Sequence, residues 1–164
     1  MGESHGGTVD PDERKAFTRF VKETEPRLSY ALAAAYGFEI GADATADALA
    51  WGWEHWPELQ GKRNPAGYLY RVGQSKARRY HRSQMFFPEI PAPEVPSVEP
   101  GLIHALASLS QNQRVSVVLI YGMDYSEREV ADILGISRWS VRTHAERGMR
   151  RLRSALGVTA DVAD

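Results

Sequence analysis

Five of the nine prolines in this 164-residue chain, Pro88, Pro91, Pro93, Pro96 and Pro100, fall between Phe86 and Pro100. Proline fixes φ and removes a backbone donor, so a stretch this dense is expected to be extended and free of helix. It also carries Glu89, Glu94 and Glu99 and no basic residue. Such a segment divides the chain. The pieces on either side are small, and a small module buries a modest core and gains stability from a partner.

Both flanks read as helical. Phe17, Phe20, Val21, Leu28, Ala31, Leu32 and Ala35 recur at helical spacing, with Pro26 marking a kink or a fresh first turn. Gly37 and Gly41 punctuate a turn, and an alanine-rich helix is predicted over 42–55, with Leu49, Trp53 and Trp56 as its bulky packing residues. A loop at Pro57, Gly61 and Asn64 precedes a third helix over 65–83, with Leu69 and Val72 facing inward. Beyond the prolines, Leu102, Ile103, Leu106 and Leu109 mark a short helix, and Ser110 caps another that ends near Gly122. The one strand-like run, 115–120, has flanks that argue helix. The expected fold is all-α: two small helical domains joined by a flexible Pro-rich linker. The expected boundaries are a disordered lead-in at 1–12, a helical domain at 13–84, the linker at 85–100, a helix-turn-helix domain at 101–157 and a tail at 158–164.

Composition excludes several classes. Apolar residues make up 43 % and charged residues 25 %, so wholesale disorder is not expected. Cysteine is absent, which removes disulfides, thiolate metal sites and a cysteine nucleophile and fits a reducing cytoplasm. No apolar run approaches the roughly 20 residues that span a bilayer, and no signal peptide is read, so neither a membrane partner nor export is expected. His5, His55, His81, His104 and His144 lack ligand spacing. With no phosphate loop, nucleophile elbow or cofactor motif, the reading is a non-enzyme without cofactor or metal.

Net charge is only −1, but the charges are segregated. From 39 to 60 there are five acids, Glu39, Asp43, Asp47, Glu54 and Glu58, and no Lys or Arg. From 71 to 82 there are Arg71, Lys76, Arg78, Arg79 and Arg82 without an acid. From 137 to 153 six arginines face Glu146 alone. Separate faces for separate partners follow.

Residues 126–156 carry the sharpest pattern. Ser126 and Glu129 form a capping box, and Val130, Ile133 and Leu134 turn inward. Ala131 allows a close helix crossing, Gly135 supplies a left-handed turn, Ile136 plugs the interhelical angle, and Ser137 caps the next helix. There Val141, Ala145, Gly148 and Leu152 form a buried stripe. The opposite face presents Arg138, Trp139, Ser140, Arg142, Thr143 and Arg147. This is helix-turn-helix geometry: the second helix enters the major groove, where Arg bonds guanine O6 and N7 and Ser or Thr reaches phosphates or base edges. An amphipathic pair with a merely solvated basic face would not need both caps at these offsets.

The stretch from Leu106 to Leu156, with its Leu-x-x-Leu-x-x-x-x-Arg start and Ser-x-x-Glu-Val-Ala-x-x-Leu-Gly-Ile-Ser core, resembles region 4 of extracytoplasmic-function sigma factors of the sigma-70 family. The core alone also resembles the helix-turn-helix of LuxR-type regulators, DNA-binding proteins that do not join polymerase. The first half, 17–83, is similar to sigma region 2: an acidic helix over 43–49 and a Tyr68-Leu69-Tyr70-Arg71-Val72 motif followed by the basic run. It departs from the family at Ala46 (usually Gln), Tyr68 (usually Trp) and Gln74-Ser75 (often Arg-Asn).

What the resemblance implies is a cytoplasmic sigma factor that binds core RNA polymerase and promoter DNA, held in check by an anti-sigma factor. Asp43, Asp47 and Leu49 would meet polymerase; for the two acids a solvated helix face is the plainer alternative. Lys62, Arg63 and Asn64 would form a loop that captures an unstacked −10 base, or else a polar turn. Arg71, Lys76, Arg78, Arg79 and Arg82 would track −10 phosphates. Trp51, Trp53 and Trp56 are expected in the core rather than on flipped bases.

Overall fold

A computed structural model describes residues 9–84 and 100–157, apart from the side chains of 81–84 and Pro100. The expected lead-in up to residue 8, the linker at 85–99 and the tail at 158–164 lie outside the described residues. Among those described, every regular element is a helix. α1 (Pro11–Tyr36), α2 (Phe38–Glu54), the short α3 (Trp56–Gln60) and α4 (Pro65–Gln84) precede the linker. After it come α5 (Pro100–Ala107), α6 (Gln111–Val117, prolonged by a wider turn over Val118–Gly122), α7 (Glu127–Leu134) and α8 (Arg138–Ala155). The all-helical class is as expected.

α1 starts at Asp10, whose carboxylate accepts from the Asp12 amide 3.0 Å away, and runs unbroken past Pro26. An interior proline costs a helix about 3 kcal/mol. That cost is offset by the face α1 buries, where Leu28, Ala31 and Leu32 are wholly inaccessible. Gly37, at φ 92°, makes the turn into α2. Gly41 does not share that turn. It lies inside α2, where a Cβ would come within 2.6 Å of the Ala33 backbone, so its role is to let α1 and α2 cross closely. Trp56 likewise belongs to α3, with its ring 5.2 Å from Phe17 and 5.3 Å from Phe20. Trp53 also packs on Phe17, and Trp51 stacks on His55 at 4.3 Å. Trp51, Trp53 and Trp56 are thus engaged within the fold.

One hydrophobic core runs across the linker. Leu28, Leu32, Leu59 and Leu69 from the first half are continuous with Val115, Leu119, Val130, Ile133 and Val141 from the second. A smaller cluster of Ala105, Leu109, Val117 and Leu152 ties α5 and α6 to α8. Polar contacts reinforce the seam. The Arg114 guanidinium of α6 donates from Nε to the Ala34 carbonyl at 2.6 Å and from Nη2 to the Ala35 carbonyl at 3.0 Å. Its Nη1 donates to the Leu109 carbonyl at 3.1 Å. The last carbonyls of a helix lack intrahelical partners and attract cations, and α1 has no basic residue in its last turn. Arg114 supplies that cation from the other half.

The reciprocal contact comes from Asn64. Its Nδ2 donates to the Asp132 carbonyl in the last turn of α7 at 2.7 Å, while its Oδ1 accepts from the Gly67 amide at 3.0 Å and so caps α4. The approach is tight: a Cβ on Gly67 would stand 2.5 Å from Asn64 Nδ2 and 2.9 Å from the Asp132 oxygen. Each half therefore closes a helix end belonging to the other.

Candidate nucleic-acid interface

The helix-turn-helix forms from α7, the turn and α8 as the residue pattern requires. Ser126 Oγ accepts from the Glu129 amide at 3.2 Å, and Glu129 Oε2 accepts from both the Ser126 amide and hydroxyl at 2.9 Å. These bonds hold the Glu129 carboxyl below the usual carboxylate range. Gly135 is left-handed (φ 66°, ψ 32°), and its amide bonds the Ala131 carbonyl. Ser137 Oγ then accepts from the Ser140 amide at 3.0 Å and starts α8. Val141, Ala145, Gly148 and Leu152 are all buried, as the spacing predicts.

The opposite face of α8 is open. Arg138, Trp139, Arg142 and Arg147 are exposed, Trp139 to 73 %, which leaves an aromatic face in water beside three cations. Ser140 and Thr143 are half-buried. The Ser137 and Ser140 hydroxyls lie 2.9 Å apart at the cap, so both serve the helix start in this arrangement. Arg142 is paired: its Nε is 3.0 Å from Glu127 Oε1 and its Nη2 is 2.9 Å from Glu127 Oε2. The pairing holds the Glu127 carboxyl below its ordinary range and pushes the Arg142 guanidinium up.

On the first half, Arg63, Arg71, Arg78 and Arg79 are exposed and Lys76 is half-buried. The Arg82 side chain lies outside the described residues. Lys62 sits 3.5 Å from Glu58 and 4.7 Å above the Tyr68 ring. Asn64, at the start of α4, spends its amide on α4 and α7 as described. Asp43 is exposed, whereas Asp47 is half-buried and accepts from the Tyr80 hydroxyl at 2.6 Å. That bond is also the main reason the Tyr80 phenol is pushed up. Leu49 packs against the core and is partly exposed. Ala46, where the related pattern has Gln, faces solvent beside Asp47.

Two residues escaped the sequence reading. Glu127 was not singled out, and Arg114 entered only as part of a family pattern. The first is fifteen positions from its partner and the second about eighty, so neither pairing leaves a periodic signal. Among the described residues no group of three or more His, Cys, Asp or Glu side chains could hold a metal, and no helix is long and apolar enough to cross a membrane.

Fold and site together define a DNA-binding class: a capped helix-turn-helix with an exposed cationic reading face, mounted on a four-helix partner. Residues 105–154 match the family model for sigma-70, region 4. This match spans the helix-turn-helix domain. The LuxR-type alternative has no such support. Two solved structures share the fold of nearly the whole chain. One is the sigma factor RpoE in complex with the anti-sigma factor NepR from Bartonella quintana, at 21 % identity and TM-score 0.59 over 88 % of this chain and 98 % of that one. The other is CnrH in complex with the cytosolic domain of CnrY, at 19 % identity and TM-score 0.57 over 90 % of this chain and 91 % of that one. A sequence search of curated proteins gives no match.

Proposed function

We propose that this chain is an RNA polymerase sigma factor of the extracytoplasmic-function type, with residues 13–84 engaging core polymerase and the −10 element and 101–157 the −35 element. The observation that carries the reading is the coincidence of the region 4 match with an exposed cationic face on α8. In this reading Arg138, Trp139, Arg142 and Arg147 face the −35 major groove, with Ser137, Ser140 and Thr143 on backbone or base edges. Asp43, Asp47 and Leu49 meet polymerase, and Lys62, Arg63, Arg71, Lys76, Arg78, Arg79 and Arg82 track the −10 strand. The action is binding and strand separation, in which stacking and pocketing of unpaired bases offset the cost of melting. No covalent bond is made.

Asn64 fits this scheme only in an opened molecule. Its amide is occupied by Asp132 and Gly67 here, so reading a −10 base requires α7 to leave α4. A cytoplasmic protein partner that keeps the halves together would silence the factor, and the partner-bound state of both structural neighbours supports an anti-sigma role for it.

The test is association with purified core polymerase together with run-off transcription from the chain's own promoters. Stable core binding and promoter-specific transcripts are expected. Duplex binding without core association would refute the proposal. Asp47→Arg is expected to weaken core association while leaving DNA binding by the C-terminal half intact.

A further inference from the structure

Among the described residues, the helix-turn-helix contains one ion pair, and it joins the base of α7 to the reading face of α8. Glu127 is the first residue of α7, and Arg142 lies in the second turn of α8. The two bonds, 3.0 Å and 2.9 Å, are of the fork-to-fork kind, in which a carboxylate takes one edge of a guanidinium. That edge is Nε with one hydrogen of Nη2. The other edge, Nη1 with the second hydrogen of Nη2, makes no hydrogen bond among the described residues. It is itself a planar two-donor fork, the shape that matches guanine O6 and N7.

We propose that Glu127 is a specificity-determining positioning residue: it holds Arg142 by one edge so that the other edge meets a single guanine of the upstream promoter element. The inference rests on the reading of α8 as the base-contacting helix. A plain surface ion pair is the alternative, and exposed pairs contribute little to stability. α7 does not depend on this one for its start, because Ser126 and Glu129 already close that end. The pairing acts on Arg142 instead. A free arginine must surrender several rotamers on binding, and one already held in plane surrenders few. Arg142 is 56 % exposed and Glu127 29 %, so the guanidinium is the more accessible member of the pair.

The carboxylate has a second consequence. A negative charge beside the groove repels phosphates on every sequence, so Glu127 lowers binding to DNA in general while sharpening the choice of one base. Removing the acid therefore separates two quantities that a purely structural role would move together. Discrimination falls, and binding to unrelated DNA holds or rises.

The experiment uses the full chain assembled with core polymerase and a library of promoter duplexes randomised across the upstream element. Bound sequences are counted for the wild type, Glu127→Gln, Glu127→Ala and Arg142→Ala, with the Tm of each variant. The expected result is one G·C position preferred by at least about fivefold, abolished by Arg142→Ala and at least halved by both Glu127 variants at that position alone. Tm and binding to unrelated duplex are not lowered by Glu127→Gln. Full retention of the preference in both Glu127 variants would overturn the proposal. So would an even loss over all positions with a lowered Tm, which makes the pair structural. A wild-type preference that Arg142→Ala leaves untouched refutes the positioning role but not the sigma reading. A wild type that selects no upstream sequence refutes the reading of α8, and the positioning role with it.

Discussion

Helices α1, α2 and α4 run for 26, 17 and 20 residues, whereas α6 and α7 beyond the linker run for 7 and 8. The ends differ as much as the lengths. α2 and α3 begin without any side-chain cap, while α6 and α7 each carry a complete capping box. Isolated helices of one or two turns are unstable in water, so each orphan amide they satisfy locally counts. The long helices rely on burial instead, with Leu28, Leu32 and Leu69 fully inaccessible. The starts of α6 and α7 are closed by residues three positions away, whereas α1, α2 and α4 are held by burial against one another, and the two sets meet in one core.

The largest effect expected from a single change follows from that shared core. Leu69→Ala removes a wholly buried side chain from α4 and is expected to destabilise the chain by about 2–5 kcal/mol. If the halves depend on each other, urea unfolding stays a single transition, and amides of α7 and α8 lose protection from hydrogen exchange along with those of α2 and α4. Unchanged protection in α7 and α8 would show that the second half stands alone.

The contrast also explains what could be read from the chain. The helix-turn-helix was legible almost residue by residue, because caps, turn glycine and buried stripe all lie within a few positions of their partners. Ser126, Gly135, Ser137 and Val141 each do what their spacing implies. The first half was legible as helices, but its joints were not. Gly41 looked like a turn residue and is a crossing contact, and α2 starts earlier than the alanine-rich run suggested. The seam was invisible. Asn64 before Pro65 signals a turn or a cap, and nothing local says that its amide also reaches Asp132. Arg114 is one of many arginines, and only the fold reveals that the end of α1 needs a cation.

A smaller effect is expected at that seam. Arg114→Ala removes the donors to Ala34 and Ala35 and is expected to cost about 1.5–3 kcal/mol, the range for hydrogen bonds to a charged group. Arg114→Lys should recover only part of it, since an ammonium cannot present a planar fork to neighbouring carbonyls. Gly67→Ala should act in the same direction, by pushing Asn64 from Asp132. The signature is faster exchange in the last turns of α1 and α7 and a larger radius of gyration in solution. A compact particle with unaltered exchange at both ends would mean that the apolar core alone joins the halves.

The smallest effect lies in the caps and depends on pH. Ser126→Ala is expected to cost about 1 kcal/mol at neutral pH. The Glu129 carboxyl is held below its ordinary value chiefly by the Ser126 amide and hydroxyl, and that of Glu127 chiefly by Arg142. A carboxyl whose folded value lies below its unfolded one stabilises the fold above the unfolded value and loses that contribution as pH falls through the folded one. Glu129 therefore supports the start of α7 at neutral pH, and the support fades below the ordinary value of about 4.5, whereas the exposed Glu127–Arg142 pair contributes little. In urea titrations, the penalty of Glu129→Gln relative to wild type should shrink as pH is lowered past that point. The penalty of Leu69→Ala should not follow this course, because a buried methyl group has no proton to gain. Parallel pH dependence in the two kinds of variant would mean that the short helices, too, are held by the common core and not by their own ends.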